Sequence, residues 1–215
     1  MIEYHKINSI FKRDPLTKYK TFLMGQYSTP ELEYLKDNEW VFTEKVDGTN
    51  IRIMWNHEML EVTFGGKTDN AQIPAALVNR LKVLFTASEM EAQFPDNSVC
   101  LYGEGYGPKI QKGGGNYRQD QSFVLFDVRI GHWWLQRHDI KDLGDKLGID
   151  TVPIVGYGTL NGAVSMAQAG FSSQWGDFLA EGIVARPKVE LKARSGERII
   201  TKVKHKDFIK EIKNG

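Results

Sequence analysis

The sequence is poor in cysteine. Cys100 is the only one among 215 residues, so no intramolecular disulfide can form. Its flanks, Val99 and Leu101, make it read as a buried strand residue and not as a reactive thiol. No apolar run is long enough to span a membrane. The start, Met1-Ile2-Glu3-Tyr4-His5-Lys6, lacks the apolar core of a signal peptide. The five histidines are scattered without metal-ligand spacing, which argues against zinc. Internal repeats, low-complexity tracts and linkers are missing as well. The expectation is a cytoplasmic protein with no membrane segment. It should form a single domain over 1–215 with no additional C-terminal domain. A monomer is expected.

Net charge is also small, +1, and by itself does not mark a nucleic-acid binder. Its distribution is uneven. From Glu181 to Gly215 there are ten Lys/Arg against five Asp/Glu, and the preceding 180 residues are net −4. A basic end of this kind suits contact with phosphates, or is simply a solvated face. Hydrophobic residues make up 41% and charged residues 26%, ordinary for a globular chain with a full core.

What is present is organised around Glu44-Lys45-Val46-Asp47-Gly48-Thr49-Asn50. Alternating apolar runs flank it, Trp40 to Thr43 and Ile51 to Trp55. The pattern predicts strand, Asp47-Gly48 turn, strand, with Lys45 at a strand end. Partial burial and neighbouring cations would favour a neutral, nucleophilic amine there. A plain hairpin with a solvated lysine fits the bare pattern equally well. Further along, Thr29-Pro30-Glu31 opens a short helix to about Lys36. Met59 to Phe64 reads as a strand paired with the one before it. Apolar spacing at Leu77, Leu81, Leu84 and Phe85 predicts one helix over Pro74 to Phe94. Strands are expected at Val99 to Gly103 and Gln121 to Ile130, the latter turning at Gly131-His132 into Trp133-Trp134-Leu135. His138 to Leu147 should be a helix closed by Gly148, Val152 to Tyr157 a strand, and Asn161 to Ala169 a helix. Ala180 to Ala185 reads as a strand. A hairpin at Gly196 should join Val189-Arg194 to Arg198-Val203, followed by a short basic helix from His205 to Lys213. Lys202 and Lys204, two apart on a strand, share a face with Ile200. Strands outnumber helices and hairpins join several of them. The fold class is therefore α+β, with largely antiparallel sheets flanked by helices.

Five segments in order resemble the covalent nucleotidyltransferases: the Lys45 stretch, Tyr102-Gly103-Glu104-Gly105-Tyr106-Gly107, Phe123-Val124-Leu125-Phe126-Asp127, Glu181-Gly182-Ile183-Val184, and Thr201-Lys202-Val203-Lys204. The sequence is most similar to ATP-dependent RNA ligases of the nick-sealing and RNA-editing type. Asn50 and Gly107-Pro108-Lys109-Ile110-Gln111-Lys112-Gly113-Gly114 favour that branch over DNA ligases and capping enzymes. The resemblance runs from about Trp40 to Phe208. It implies a nucleotidyltransferase domain of the ligase and capping-enzyme type. Its substrate would be RNA with 5′-phosphate and 3′-hydroxyl ends, its cofactors ATP and Mg2+ or Mn2+. The alternatives are a DNA ligase, a capping guanylyltransferase, or a non-catalytic RNA-binding module of the same fold.

The resemblance implies that Lys45 attacks the α-phosphate of ATP to give lysyl-AMP, which then activates the 5′ end. Lys202 and Lys204 would offset phosphate charge. Glu44, Asn50, Lys67, Glu104, Phe123, Glu181 and Val184 would complete the nucleotide site, with adenine between Phe123 and Val184. Glu104, Glu181 and Asp47 are the candidates for metal contact, and Asn50 for the acceptor phosphate. In the loop Gly105–Gln121, Lys109, Lys112 and Arg118 are expected on RNA phosphates, and Tyr106 and Tyr117 under bases. A separate RNA-binding partner would supply whatever grip the chain lacks.

Overall fold

A computed structural model describes residues 3–209. They fall into two compact units. Unit 1 takes the described residues up to Tyr4 together with Asp47–Val152, and unit 2 takes His5–Val46 and the chain from Pro153 onward. No helix among the described residues is long and apolar enough to cross a membrane.

Unit 1 is built on a six-stranded sheet. Its strands run in the order Asp150–Thr151, Ser122–Ile130, Val99–Tyr106, Thr49–Asn56, Glu61–Gly65, with Trp133–Trp134 added beside Ser122–Ile130. All pairs are antiparallel except Asp150–Thr151, which runs parallel to its neighbour. Successive side chains alternate between faces. Ile51, Ile53, Trp55, Leu101 and Leu125 therefore line one face and are fully buried. Leu77, Leu81, Phe85, Met90 and Ile140 complete this core from the helices and the turn between them. The expected long helix is two, Ala75–Leu84 and Ala87–Gln93. The break comes from Thr86, whose hydroxyl accepts from Glu89 N while the Glu89 carboxylate accepts from Thr86 N. This capping box starts a second helix and stops the first from continuing.

Unit 2 carries a five-stranded sheet in the order Asn8–Ser9, Thr201–Lys204, Gly182–Pro187, Trp40–Glu44, Ile154–Gly158. Trp40, Phe42, Ile183, Ala185 and Val203 point into its core, covered by the helix Leu160–Ala169. A two-stranded hairpin, Phe11–Arg13 with Phe22–Tyr27, adds Phe11, Phe22 and Tyr27. Gly196 (φ +86°) turns the chain as expected. The flanking segments there make only an isolated bridge, Lys192 with Arg198. The final helix is a single 3-10 turn, His205–Asp207, and the remainder of that expectation lies outside the described residues.

One expectation fails in an informative way. Trp40–Glu44 and Thr49–Asn56 are not the two arms of a hairpin; they belong to different sheets and different units. Lys45 N still donates to Gly182 O at 2.9 Å, extending the unit 2 ladder. Two residues later Asp47 N donates to the Tyr117 hydroxyl at 3.1 Å, inside unit 1. A Cβ on Gly48 would lie 2.3 Å from Gly105 O, so only glycine lets the backbone pass there.

Phe123 is a core residue of unit 1. It is 1% exposed and meets Phe85 edge-on at 5.3 Å. A Cβ on Gly103 would strike its ring at 2.2 Å. Truncating Phe123 to Ala should therefore cost about 3–5 kcal/mol of stability, read as a lowered urea midpoint. Gly103→Ala should destabilise through overpacking by about 1–3 kcal/mol.

Candidate active site

Strand parity decides which side chains meet in unit 2. Val184 lies opposite Thr43 on one side and Lys202 on the other, and Gly182 lies opposite Lys204. Residues directly opposite share a face, so Thr43, Val184, Lys202 and Lys204 lie on the sheet face away from the core. Lys45 follows Thr43 by two residues. Its Nζ donates to Glu181 Oε2 at 2.6 Å, and Lys204 Nζ meets Glu181 Oε1 at 2.5 Å. Each oxygen of one carboxylate thus holds one ammonium. The lysine side chains are 20% exposed and that of Glu181 is 11% exposed. Burial pushes the Glu181 carboxyl up, but Lys45 and Lys204 outweigh it and hold the group below its ordinary value. The site needs a residue without a side chain at 182. A Cβ there would lie 2.2 Å from Val203 O and 2.7 Å from Lys204 Cα.

Glu44 does not join this group. One residue out of phase with Thr43 and Lys45, it lies opposite Ile183 on the core face and is 1% exposed. Its carboxylate accepts from the Ser173 hydroxyl at 2.6 Å and from Gln174 N at 2.8 Å. Burial raises its pKa, and the two hydrogen bonds offset this only in part. Its side chain is a structural clamp on the 173–174 turn, which corrects the expected nucleotide contact.

In unit 1 the same parity brings Asn50 and Glu104 together as directly opposite residues, and both are half-buried. The Asn50 Oδ1 is buried with no hydrogen-bond partner, a group left for something outside the fold. Phe123 pairs with Gly105 on the other face of this sheet. It therefore cannot share a surface with Asn50 and Glu104, which corrects its expected place under adenine. Asp47, three residues before Asn50, is half-buried and anchored through its backbone on Tyr117. No three His, Cys, Asp or Glu among the described residues are grouped so as to hold a metal.

Lys67 is exposed on the turn after Glu61–Gly65. That turn is held by a residue the sequence did not single out, Arg52. Its guanidinium is fully buried, with Nε donating to Gly66 O at 2.8 Å and Nη2 to Asp69 Oδ1 at 2.7 Å. Arg52 alternates with the core residues Ile51, Ile53 and Trp55, so strand period gave no signal for its burial.

The 107–121 loop differs from expectation. Tyr106 and Tyr117 are 1% and 7% exposed and meet edge-on at 6.0 Å, so neither offers a face to a base. The Tyr106 hydroxyl donates to Asp150 at 2.6 Å. Burial first, and this carboxylate second, push its pKa up to about 12. Arg118 is committed to Asp120 at 2.6 Å and Asp150 at 3.4 Å, so its charge is already balanced inside the unit. Lys109 and Lys112 are exposed as expected.

Glu181 has a pH signature. Its folded pKa lies below the ordinary 4.5. Its ion pairs therefore stabilise the fold above that pH and are lost as pH falls through the depressed folded value. Glu181→Gln should lower stability at pH 7 by about 1–3 kcal/mol. The gap from wild type should be full above pH 4.5 and close as pH falls through the depressed folded value. Urea midpoints across a pH series check this; a constant gap would refute it.

The model of one family, RNA ligase, matches residues 38–204. No curated protein matches. Among solved structures, a variant of Naegleria gruberi RNA ligase with ATP and Mn is 18% identical over 94% of this chain and 56% of that one, at a TM-score of 0.68. The same organism's RNA ligase with PPi is 19% identical over 94% and 57%, at 0.64. Another variant, with AMP and Mn, is 18% identical over the same shares, at 0.64. The chain thus spans less than two thirds of the structures it is similar to. The likeness covers the same α+β arrangement of antiparallel sheets and few helices. With the family model covering most of its length, the chain belongs to the RNA ligase family.

Proposed function

We propose that this chain is the adenylyltransferase domain of an ATP-dependent RNA ligase. The observation that carries the reading is the Lys45–Glu181–Lys204 ion triplet, with Lys202 on the same sheet face. Lys45 and Lys204 share one carboxylate and Lys202 lies on the same face, which brings three basic side chains to one surface, the donor set a triphosphate needs. Lys45 is the nucleophile. Its Nζ forms a bond to the α-phosphorus as the bond to the bridging oxygen breaks, and pyrophosphate leaves with that electron pair. The amine must first lose a proton, and Glu181 is the carboxylate already hydrogen-bonded to it. While the pair is intact Nζ is held as an ammonium. Nucleotide entry would draw Lys204 toward phosphate and free one Glu181 oxygen, making that carboxylate a better acceptor for the Lys45 proton. Lys202 and Lys204 balance charge that builds on the α-phosphate oxygens. Val184, opposite Lys202 in register, offers the apolar contact for the nucleotide.

AMP then passes to a 5′-phosphate end, and a 3′-hydroxyl displaces it to seal the strand. Asn50, with its partnerless carbonyl oxygen, and Glu104 beside it are the unit 1 groups assigned to the nucleotide and acceptor; Lys67, Lys109 and Lys112 are assigned to phosphates. The described residues do not assemble a metal cage. A divalent ion such as Mg2+ would arrive on the triphosphate, held largely by phosphate oxygens and water, with single carboxylates such as Asp47, Glu104 or Glu181 as outer contacts. None of the residue roles above depends on its position.

The test is incubation with ATP or GTP and Mg2+, followed by intact-mass measurement. An added AMP is expected from ATP, absent in Lys45→Ala and reduced at least tenfold in rate in Lys202→Ala and Lys204→Ala, roughly the loss of one charge-assisted contact. Label from GTP instead would move the reading to a capping guanylyltransferase, and label on Lys45→Ala would remove Lys45 from the mechanism.

A further inference from the structure

Two consecutive non-glycine residues, Lys18 and Tyr19, sit in the left-handed region, with φ of 54° and 62°. Among the described residues only Leu60 and Lys109 share that property. Left-handed backbone is unfavourable for residues with a Cβ, and such strain persists only where the surroundings enforce it. Here they do. Asp14 Oδ1 accepts from Leu16 N at 2.8 Å, Asp14 O accepts from Tyr19 N at 2.9 Å, and Asp14 N donates to Thr21 O at 3.0 Å. Thr17 Oγ1 accepts from Thr21 N at 3.1 Å, and Arg13 donates to Lys20 O at 3.3 Å.

The enforced turn does not bury what it displays. Tyr19 is 63% exposed, and Lys18, Lys20 and Lys12 are exposed around it. Nearby carboxylates have structural roles. Asp14 caps the turn, and Asp207 pairs with Arg13 at 2.7 Å. Asp207 also accepts from Lys204 N through its other oxygen at 3.1 Å, and Ile10 N donates to Lys202 O at 3.0 Å. The turn is thus braced against the strand that carries Lys202 and Lys204.

We propose that the 14–21 turn is a binding site for an unpaired nucleotide of the RNA substrate. Tyr19 stacks on its base, and Lys18 and Lys20 take the flanking phosphates. This rests on the ligase reading for the identity of the strand. An aromatic ring between two lysines on a rigid turn is the chemistry of single-strand binding, sequence-tolerant and salt-dependent. A paired duplex buries its base faces and would gain only the lysine contacts.

The test measures binding of a 5′-phosphorylated single-stranded RNA and of a blunt RNA duplex by fluorescence anisotropy over a salt series. Tyr19→Ala should weaken single-strand binding roughly tenfold, leave duplex binding nearly unchanged, and be rescued by Tyr19→Phe. Lys18→Gly should raise the unfolding midpoint, because glycine relieves the left-handed strain. It should also weaken binding and lower the salt slope by about one. Self-adenylylation should be unchanged in all of these. Wild-type affinity in both Tyr19→Ala and Lys18→Gly, or equal losses on duplex and single strand in Tyr19→Ala, would overturn the proposal. An adduct missing from the wild type, with single-strand binding still sensitive to Tyr19, would count against the ligase reading and support the turn.

Discussion

The unit 2 site depends on one carboxylate held between two ammonium groups. A charge as buried as that of Glu181 is costly unless it is paired and hydrogen-bonded. Lys45 and Lys204 do this, one on each oxygen. The arrangement fixes lysines from distant parts of the chain relative to each other before any ligand arrives. It also makes residue 182 intolerant of a side chain, since the Glu181 backbone must run close against the strand carrying Lys204. His205 N donating to Glu181 O at 3.0 Å closes that contact. Binding residues, strand register and the glycine are therefore a single constraint.

A one-residue change of phase separates what acts from what supports. In unit 2, Thr43, Lys45, Val184, Lys202 and Lys204 fall on one side, and Glu44, Ile183 and Val203 on the other. Glu44 shows the consequence. Adjacent to the proposed nucleophile in sequence, it spends its carboxylate under the sheet. Unit 1 repeats the rule with Asn50 and Glu104 on one face and Thr49, Gly105 and Phe123 on the other.

Much of this was legible in the sequence. The strand content, the glycine closing the Arg137–Leu147 helix and the shared face of Lys202 and Lys204 followed from period and turn chemistry. Glu44 could have been excluded by counting parity from Lys45, and the helix break at Thr86 by its capping box with Glu89. Other features were out of reach. A strand, an Asp-Gly and a second strand look the same locally whether they form one hairpin or pass between two sheets. Only the distant partners, Gly182 for Lys45 and Tyr117 for Asp47, decide it. The commitment of Arg118 and Tyr106 to Asp150 is likewise a fact of tertiary pairing, as is the burial of Tyr117.

The order of the chain through the two units has a consequence for how the protein is made. Apart from its first residues, unit 1 is a continuous stretch, Asp47–Val152, inserted into unit 2, whose halves flank it. Glu181 is 136 residues beyond Lys45. Closing so long a loop is entropically slow, and contacts of high sequence separation delay folding. On the ribosome the inserted stretch is complete and free to collapse while Trp40–Glu44 still waits for its neighbours Gly182–Pro187. Once folded, the insert shortens the effective loop that separates the two halves. The lysine face therefore cannot close until Thr201–Lys204 has emerged, and a shorter chain would carry Lys45 without the Glu181–Lys204 pair that fixes it.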